Sequence, residues 1–146
     1  MSETRQVAKT LTANDLGLTG SHQSGIAIPK DPAILAFFPP LDAGLYNPDC
    51  SLTVSTPQTG EYWELRFIYY NNKTHGQGTR DEYRLTGTTK LLRQMSASVG
   101  DQVTFRRNKL GDIEAEVQAG TPRSSSRAGE RVLGNGWTLT MTDEED

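Results

Sequence analysis

Apolar and polar residues alternate along several short stretches of this chain, the period-2 pattern of strands that bury one face. The longest stretch is 61–70, in which Trp63, Leu65, Phe67 and Tyr69 share a face that we expect to join the core. Gly, Pro, Asn and Asp bound the other stretches, as is usual at strand ends. Shorter strands are predicted at residues 6–11, 24–28, 51–56, 102–107, 113–118 and 136–142.

Two segments carry the signals of short helices instead. Asp31 can cap a helix whose first position is Pro32, and apolar residues follow over 33–38. Pro39 ends that helix because proline lacks the amide that the next turn needs. Apolar spacing predicts a second helix over 88–95. Together these elements predict a mainly β fold, a small open barrel or pseudobarrel of seven strands in mixed directions with two short helices.

The length of 146 residues suits one domain, which we place at residues 1–142. Residues 143–146 are all acidic and predict a disordered tail, and the Ser-, Arg- and Gly-rich segment 121–130 predicts a loop. Cys50 is the single cysteine, which excludes a disulfide framework and fits a reducing compartment. Residues 1–12 lack the apolar core of a secretory signal, so we expect a cytoplasmic protein.

Charge is distributed unevenly along the chain. The net charge is −3, from 15 basic and 18 acidic residues. Residues 66–109 contain 9 basic and 3 acidic residues, whereas both flanking segments are acidic. A local positive field attracts phosphate even when the whole chain is negative, so this block suits a nucleic-acid partner. A solvated basic face explains the same block equally well.

Signatures of catalysis are missing from the sequence. It contains neither a phosphate-binding Gly-x-x-x-x-Gly-Lys motif nor a Gly-x-Ser-x-Gly elbow. Two histidines, His22 and His75, and one cysteine make a poor transition-metal site. Asp112 and Glu114 have the spacing of a nuclease metal pair, but no lysine completes it, which favours a solvated strand face. We therefore expect neither catalysis nor a cofactor in this chain alone.

Two polar segments have residue types suited to reading DNA. The glycine-rich segment 14–25 offers His22 and Gln23 to base edges, although an ordinary surface loop has the same composition. In an extended chain Arg80, Glu82 and Arg84 project from one face. Arginine binds guanine O6 and N7, and glutamate accepts from cytosine N4, so this row suits adjacent G·C pairs. A mutual ion-pair ladder is the alternative.

The same segments resemble a known family. The first motif is Leu-Thr-Ala-Asn-Asp at 11–15, with Thr-Gly-Ser-His-Gln at 19–23 and Ile-Pro at 28–29. The second is Ile-Tyr-Tyr-Asn at 68–71 with Gly-Thr-Arg-Asp-Glu-Tyr-Arg at 78–84. In order and separation they resemble the N-terminal effector domain of EcoRII-type restriction endonucleases. The resemblance implies a DNA-binding pseudobarrel, the fold of the plant B3 transcription factors, with two arms that read the major groove.

Residue roles follow from this resemblance. The implied base-reading residues are Arg80, Glu82, Arg84, His22, Gln23 and Asp81. The predicted contacts to the DNA backbone are Lys9, Asn14, Ser21, Ser24, Lys73, Thr79, Tyr83, Lys90 and Arg93, of which Lys73, Lys90 and Arg93 rest on charge. Charge alone adds Arg106 and Arg107 as phosphate contacts.

The function implied is a recognition domain of a prokaryotic type II restriction endonuclease that binds double-stranded DNA at a short site such as CCWGG. A separate C-terminal nuclease domain would be its partner, and Mg²⁺ would be needed only there. Two alternatives remain at this stage. A single-strand or RNA binder would stack bases on Trp63, Tyr69 and Tyr70, and a protein-interaction module would have no affinity for nucleic acid.

Overall fold

Nine β-strands form one mixed sheet in the computed structural model, which describes residues 2–19, 25–108, 110–120, 130–132 and 136–143. The strands are β1 (Ser2–Thr10), β2 (Ile26–Ile28), β3 (Asp49–Thr56), β4 (Glu61–Tyr70), β5 (Glu82–Thr86), β6 (Gln102–Arg107), β7 (Ile113–Gln118), β8 (Glu130–Val132) and β9 (Trp137–Asp143). Their order across the sheet is β2-β5-β4-β3-β7-β6-β1-β9-β8. Among these nine strands, only β3 and β7 pair in parallel, so the directions are mixed as the sequence predicts.

The two ends of the sheet lie close together. Trp137, in β9, donates a hydrogen bond from its indole Nε1 to the carbonyl oxygen of Ala27, in β2, over 3.2 Å. Strand β2 is one edge of the sheet, and β9 lies next to the other edge. A side-chain hydrogen bond therefore spans the opening, and the curled sheet is an open barrel.

The expected number of seven strands is wrong for the part of the chain that the structure describes. One additional strand is β5, which the sequence marks only as extended. The other is β8, whose first residue, Glu130, belongs to the segment expected to be loop. Strand β8 has three residues, which is too short a stretch to show alternation. Among the described strands it pairs only with β9. Residues 121–129 and 144–146 lie outside the described part.

Both predicted helices are present, but they are shorter than expected. Helix α1 (Pro32–Leu35) begins after Asp31, whose carboxylate accepts a hydrogen bond from the amide of Ala33 at 2.9 Å. Phe37 and Phe38, expected inside this helix, follow it and are buried in the core. Helix α2 is Thr88–Gln94.

The interior of the barrel contains the residues that the alternating pattern selected. Leu65 and Phe67 of β4 are about 1% exposed, and so is Trp137. Burial of a side chain of this size contributes roughly 1.5–3 kcal/mol. Trp63 and Tyr69, on the same face of β4, are only half-buried because they lie towards the ends of the strand. Within the described residues, no helix has the length and apolar character that crossing a membrane requires.

Candidate DNA interface

Arg80, Glu82 and Arg84 lie together at the start of β5, on the common face that their spacing predicts. Oxygen Oε2 of Glu82 accepts from both Nε and Nη2 of Arg80, at 3.0 and 2.8 Å. Oxygen Oε1 accepts from Nη1 of Arg84 at 3.3 Å. The ion-pair ladder therefore exists in the DNA-free protein. The two interpretations of the sequence involve the same three side chains, because the ion pairs hold in one row the groups that the sequence suggests for base reading.

The two arginines differ strongly in accessibility. The side chain of Arg80 is 39% exposed, whereas that of Arg84 is 4% exposed. Atom Nη2 of Arg84 donates to the carbonyl oxygen of Gly25 at 3.1 Å. Gly25 has φ of +81°, and a Cβ atom there would lie 2.2 Å from the carbonyl oxygen of Leu85. Glycine is thus required at position 25, where the backbone contacts β5.

An aromatic ring supports the exposed arginine. The guanidinium carbon of Arg80 lies 3.6 Å from the centre of the Tyr70 ring. Tyr70 is the last residue of β4 and pairs in register with Glu82, the first residue of β5. A cation held over an aromatic face at this distance is attracted by the ring quadrupole.

Asp81 belongs to a second network on the opposite side of the same segment. Its Oδ1 accepts from the ammonium of Lys30 at 2.6 Å and from the hydroxyl of Tyr69 at 2.7 Å. The hydrogen bond from Lys30, followed by that from Tyr69, lowers the pKa of Asp81. The hydrogen bond between Tyr69 and Asp81 also raises the pKa of Tyr69, and burial of the phenol is the second cause of that rise. Asp81 therefore anchors the segment to the protein, with two donors on its Oδ1 in this state.

A buried asparagine ties the segment to a neighbouring loop. Asn71 is fully buried, and its side-chain oxygen accepts from the amide of Asn47 at 2.7 Å. The oxygen of Asn47 accepts in return from the amide of Asn71 at 2.9 Å. The amide of Lys73 then bonds the carbonyl oxygen of Arg80 at 2.9 Å and closes the base of the loop between them. The loop between Lys73 and Arg80 is therefore held in place at both ends.

Lys9 requires a correction. The sequence resemblance implies a contact to the DNA backbone, but the Lys9 side chain is only 8% exposed. Its ammonium binds Asp15 at 2.8 Å and the carbonyl oxygen of Thr10 at 2.9 Å. Asp15 also accepts from the amide of Thr12 at 3.0 Å, so the ion pair fixes the start of the N-terminal loop. The ammonium is therefore bound inside the protein, away from a phosphate.

The rest of the predicted N-terminal arm is described only in part. Asn14 is half-buried and accepts a hydrogen bond from the hydroxyl of Thr19 at 3.0 Å. The predicted contacts Ser21, His22, Gln23 and Ser24 lie outside the described residues.

The remaining predicted contacts to the DNA backbone differ in their exposure to solvent. The exposed ones are Lys73, Thr79, Lys90 and Arg93. Tyr83 is different, because its ring stacks on Tyr69 at 4.2 Å and on Phe67 at 5.7 Å between ring centres. Tyr83 is therefore a packing residue that joins residues 80–84 to the core rather than an exposed group.

Two further basic residues of the central block are engaged within the protein. Arg106 bonds Glu114 and Glu116, each at 3.2 Å. Arg107 donates to the carbonyl oxygens of Phe37 and Gly111. Glu114, expected on a solvated face, is therefore an ion-pair partner of β6.

The aromatic residues of β4 do not form an open stacking platform. The indole of Trp63 is half-buried and donates to the hydroxyl of Thr56 at 3.1 Å. One face of Tyr69 is covered by Tyr83, and one face of Tyr70 by Arg80. Each of these two tyrosines therefore has at most one face left for a stacked base, which limits the platform that a single-strand binder would use.

Comparison with known proteins identifies the family to which the chain belongs. Residues 1–118 match the family model described as "Restriction endonuclease EcoRII, N-terminal". The chain belongs to this family. The EcoRII N-terminal domain described above is also 31% identical over 141 residues to the type II restriction enzyme EcoRII of Escherichia coli. That alignment covers 94% of this chain but 31% of the relative, so the chain spans about a third of the relative's length.

Solved structures similar to this EcoRII N-terminal domain show the same fold. An Arabidopsis FUS3–DNA complex matches with a TM-score of 0.60 and 16% identity, covering 78% of this chain and 96% of that one. The B3 domain of the UbaLAI restriction endonuclease, solved as a mutant with cognate DNA, also has a TM-score of 0.60 and 16% identity. That match covers 95% of this chain and 87% of the other. The fold is therefore the B3-type DNA-binding pseudobarrel expected from the sequence.

Proposed function

We propose that this EcoRII N-terminal domain binds double-stranded DNA and reads a short site that contains G·C pairs. The observation that carries the proposal is the row of Arg80, Glu82 and Arg84, which holds two guanine-binding groups around one cytosine-binding group. Such a row has the donor and acceptor types that the major groove distinguishes best.

Arg80 is the residue most ready to read a guanine. Its Nε and Nη2 atoms hold Glu82, and its guanidinium retains the Nη1 side for a base edge. Glu82 has lone pairs beyond those that the arginines use and would accept from cytosine N4. Arg84 would join as the second guanine reader by exchanging its bond to Gly25 or to Glu82 for one to the base.

Affinity would come from a different set of residues. Lys73, Lys90 and Arg93 are exposed cations, and Thr79 is an exposed hydroxyl. Each phosphate neutralised by such a cation makes the plot of log binding constant against log salt concentration steeper by about 0.9. His22 and Gln23, in the glycine-rich sequence segment 14–25, would supply the second arm. We propose CCWGG, or a close relative, as the site.

The wider role proposed is that of the recognition or effector domain of a type II restriction endonuclease. The chain spans only part of its relative, so cleavage, and the Mg²⁺ that it uses, would belong to a separate nuclease domain. This domain would then need no cofactor to bind DNA.

Selection of bound duplexes from a random double-stranded pool tests the function directly. The expected result is enrichment of a short site with G·C pairs, and a labelled duplex of that site should outcompete the corresponding single strands. Recovery of no common site, or preferential retention of single strands, would contradict the proposal.

A further inference from the structure

We infer that Tyr70 is a positioning residue that fixes the guanidinium of Arg80 in the orientation needed to discriminate guanine. The inference rests on the proposed function and deepens it, because it names what holds the reading group in place. Tyr70 acts through Arg80 and need not contact the DNA itself.

The register of the sheet brings the three residues together. Tyr70 pairs with Glu82 across the β4–β5 ladder, so their side chains emerge on the same face. Arg80 stands two residues before Glu82 and so projects to that face as well. The Arg80 guanidinium is therefore enclosed by Glu82 at one edge and Tyr70 at one face.

The ion pair alone leaves the guanidinium free to turn. Both Nε and Nη2 of Arg80 donate to the same oxygen of Glu82, Oε2. Two bonds to one acceptor atom allow the guanidinium plane to rotate about that atom, whereas bonds to two carboxylate oxygens would fix the plane. The second oxygen of Glu82 is held by Arg84, which fixes the carboxylate but not the plane of Arg80.

Tyr70 supplies the missing constraint. The guanidinium carbon of Arg80 lies 3.6 Å from its ring centre, the separation of a planar group in contact with an aromatic face. With one face on Tyr70 and one edge on Glu82, the outward edge of Arg80 has a defined direction. A fork that is ordered before binding loses less rotamer freedom when it meets guanine O6 and N7.

The neighbouring tyrosine shows that this role is specific to Tyr70. Tyr69 is stacked on Tyr83, and its hydroxyl is bonded to Asp81, so it serves the packing of the fold. Removing the phenol oxygen of Tyr70 preserves the ring, whereas an aliphatic residue removes the face. Tyr70→Phe should therefore behave like the wild-type protein, and Tyr70→Leu should not.

The test measures discrimination with the duplex recovered by selection and with a duplex in which 7-deazaguanine replaces the guanine read by Arg80. The wild-type protein should lose affinity when the N7 acceptor is removed. Tyr70→Leu should reduce that loss by about 2- to 30-fold, the range of measured cation–π strengths, and Tyr70→Phe should retain it. Tyr62→Leu is the matched control, because Tyr62 lies on the same face of β4 and is 78% exposed.

The outcomes separate this inference from the proposed function. If Tyr70→Leu discriminates as well as the wild type while Arg80→Ala does not, Tyr70 has no positioning role and the function stands. If Arg80→Ala also discriminates as well as the wild type at every guanine of the site, the function assigned to Arg80 fails. In the Arg80→Ala background, Tyr70→Leu should change discrimination no further. If Tyr70→Leu lowers the melting temperature, Tyr70→Ile, β-branched and suited to a strand, replaces it in the same comparison.

Discussion

Arg84 and Gly25 are joined by a hydrogen bond of 3.1 Å from Nη2 to the carbonyl oxygen, although 59 positions separate them in the sequence. This bond links the residue just before β2 to the strand that carries the row of Arg80, Glu82 and Arg84. The two segments that the sequence suggests as separate arms are thus anchored at one buried point.

Gly25→Ala should destabilise the protein strongly. Alanine would adopt a strained φ of +81° and place its Cβ 2.2 Å from the carbonyl oxygen of Leu85. We expect a loss of about 3 kcal/mol or more in the free energy of unfolding, from backbone strain and overpacking together. Gly60→Ala is the matched control, since its φ is +73° with open space around it, and it should lose about 1 kcal/mol. Urea unfolding compares the two, and equal losses would contradict the close contact.

Arg80→Ala should remove discrimination and leave the fold intact. A bidentate arginine–guanine contact contributes about 1–3 kcal/mol to base preference, whereas a half-exposed ion pair contributes about 1 kcal/mol or less to stability. Equilibrium binding to the selected site and to a variant with one G·C pair replaced measures the change. Arg93→Ala is the comparison, because this exposed residue should weaken both duplexes alike and reduce the salt slope by about 0.9. Unequal weakening by Arg93→Ala would indicate a base contact instead.

Arg84→Ala should reduce stability more than Arg80→Ala does. The Arg84 side chain is 4% exposed and binds both Glu82 and the carbonyl oxygen of Gly25. Its removal leaves these acceptors without a buried donor, at a cost of about 2 kcal/mol after allowance for the 29% exposure of Glu82. Thermal and urea unfolding of the two variants provide the measurement. A smaller loss for Arg84→Ala would show that the buried contacts contribute little.

Acidification should weaken the anchor formed by Lys30, Asp81 and Tyr69. The pKa of Asp81 in the folded protein is lowered from its ordinary 3.8, so its contribution to stability is present above that value. This contribution is lost as the pH falls through the lower folded pKa. The difference in unfolding free energy between the wild type and Asp81→Asn should therefore shrink below pH 3.8. A difference that stays constant over this range would contradict the ionised pairing.

The sequence predicts much of the secondary structure but little of how the site is assembled. Strand Glu61–Tyr70 and the cap at Asp31 follow from local signals, namely alternation and a capping side chain before proline. The burial of Lys9 depends on Asp15, whose position is set by the turn of the loop rather than by any periodicity. Alternation places Lys9 on the same face as the buried Val7 and Leu11, and only its charge suggests an exposed side chain.

Pairing register accounts for most of what sequence reasoning missed. The contact of Tyr70 with Arg80 follows from the alignment of Tyr70 with Glu82, which a single sequence does not specify. Lys30 reaches Asp81 from a different part of the chain and carries no motif of its own. The shared face of Arg80, Glu82 and Arg84 was predictable because it is local. The difference in exposure between the two arginines was not, because it arises from the approach of Gly25.

The placement of β1 between β6 and β9 determines when the sheet can be completed during synthesis. Val7 and Ala8 of β1 are buried, yet their second partner strand ends only at Asp143. At translation rates of about 5–20 residues per second, the first strand waits on the order of ten seconds for its last neighbour to be made. Until then an apolar strand edge stays unpaired, and an unpaired edge of this kind is a template for pairing with other chains.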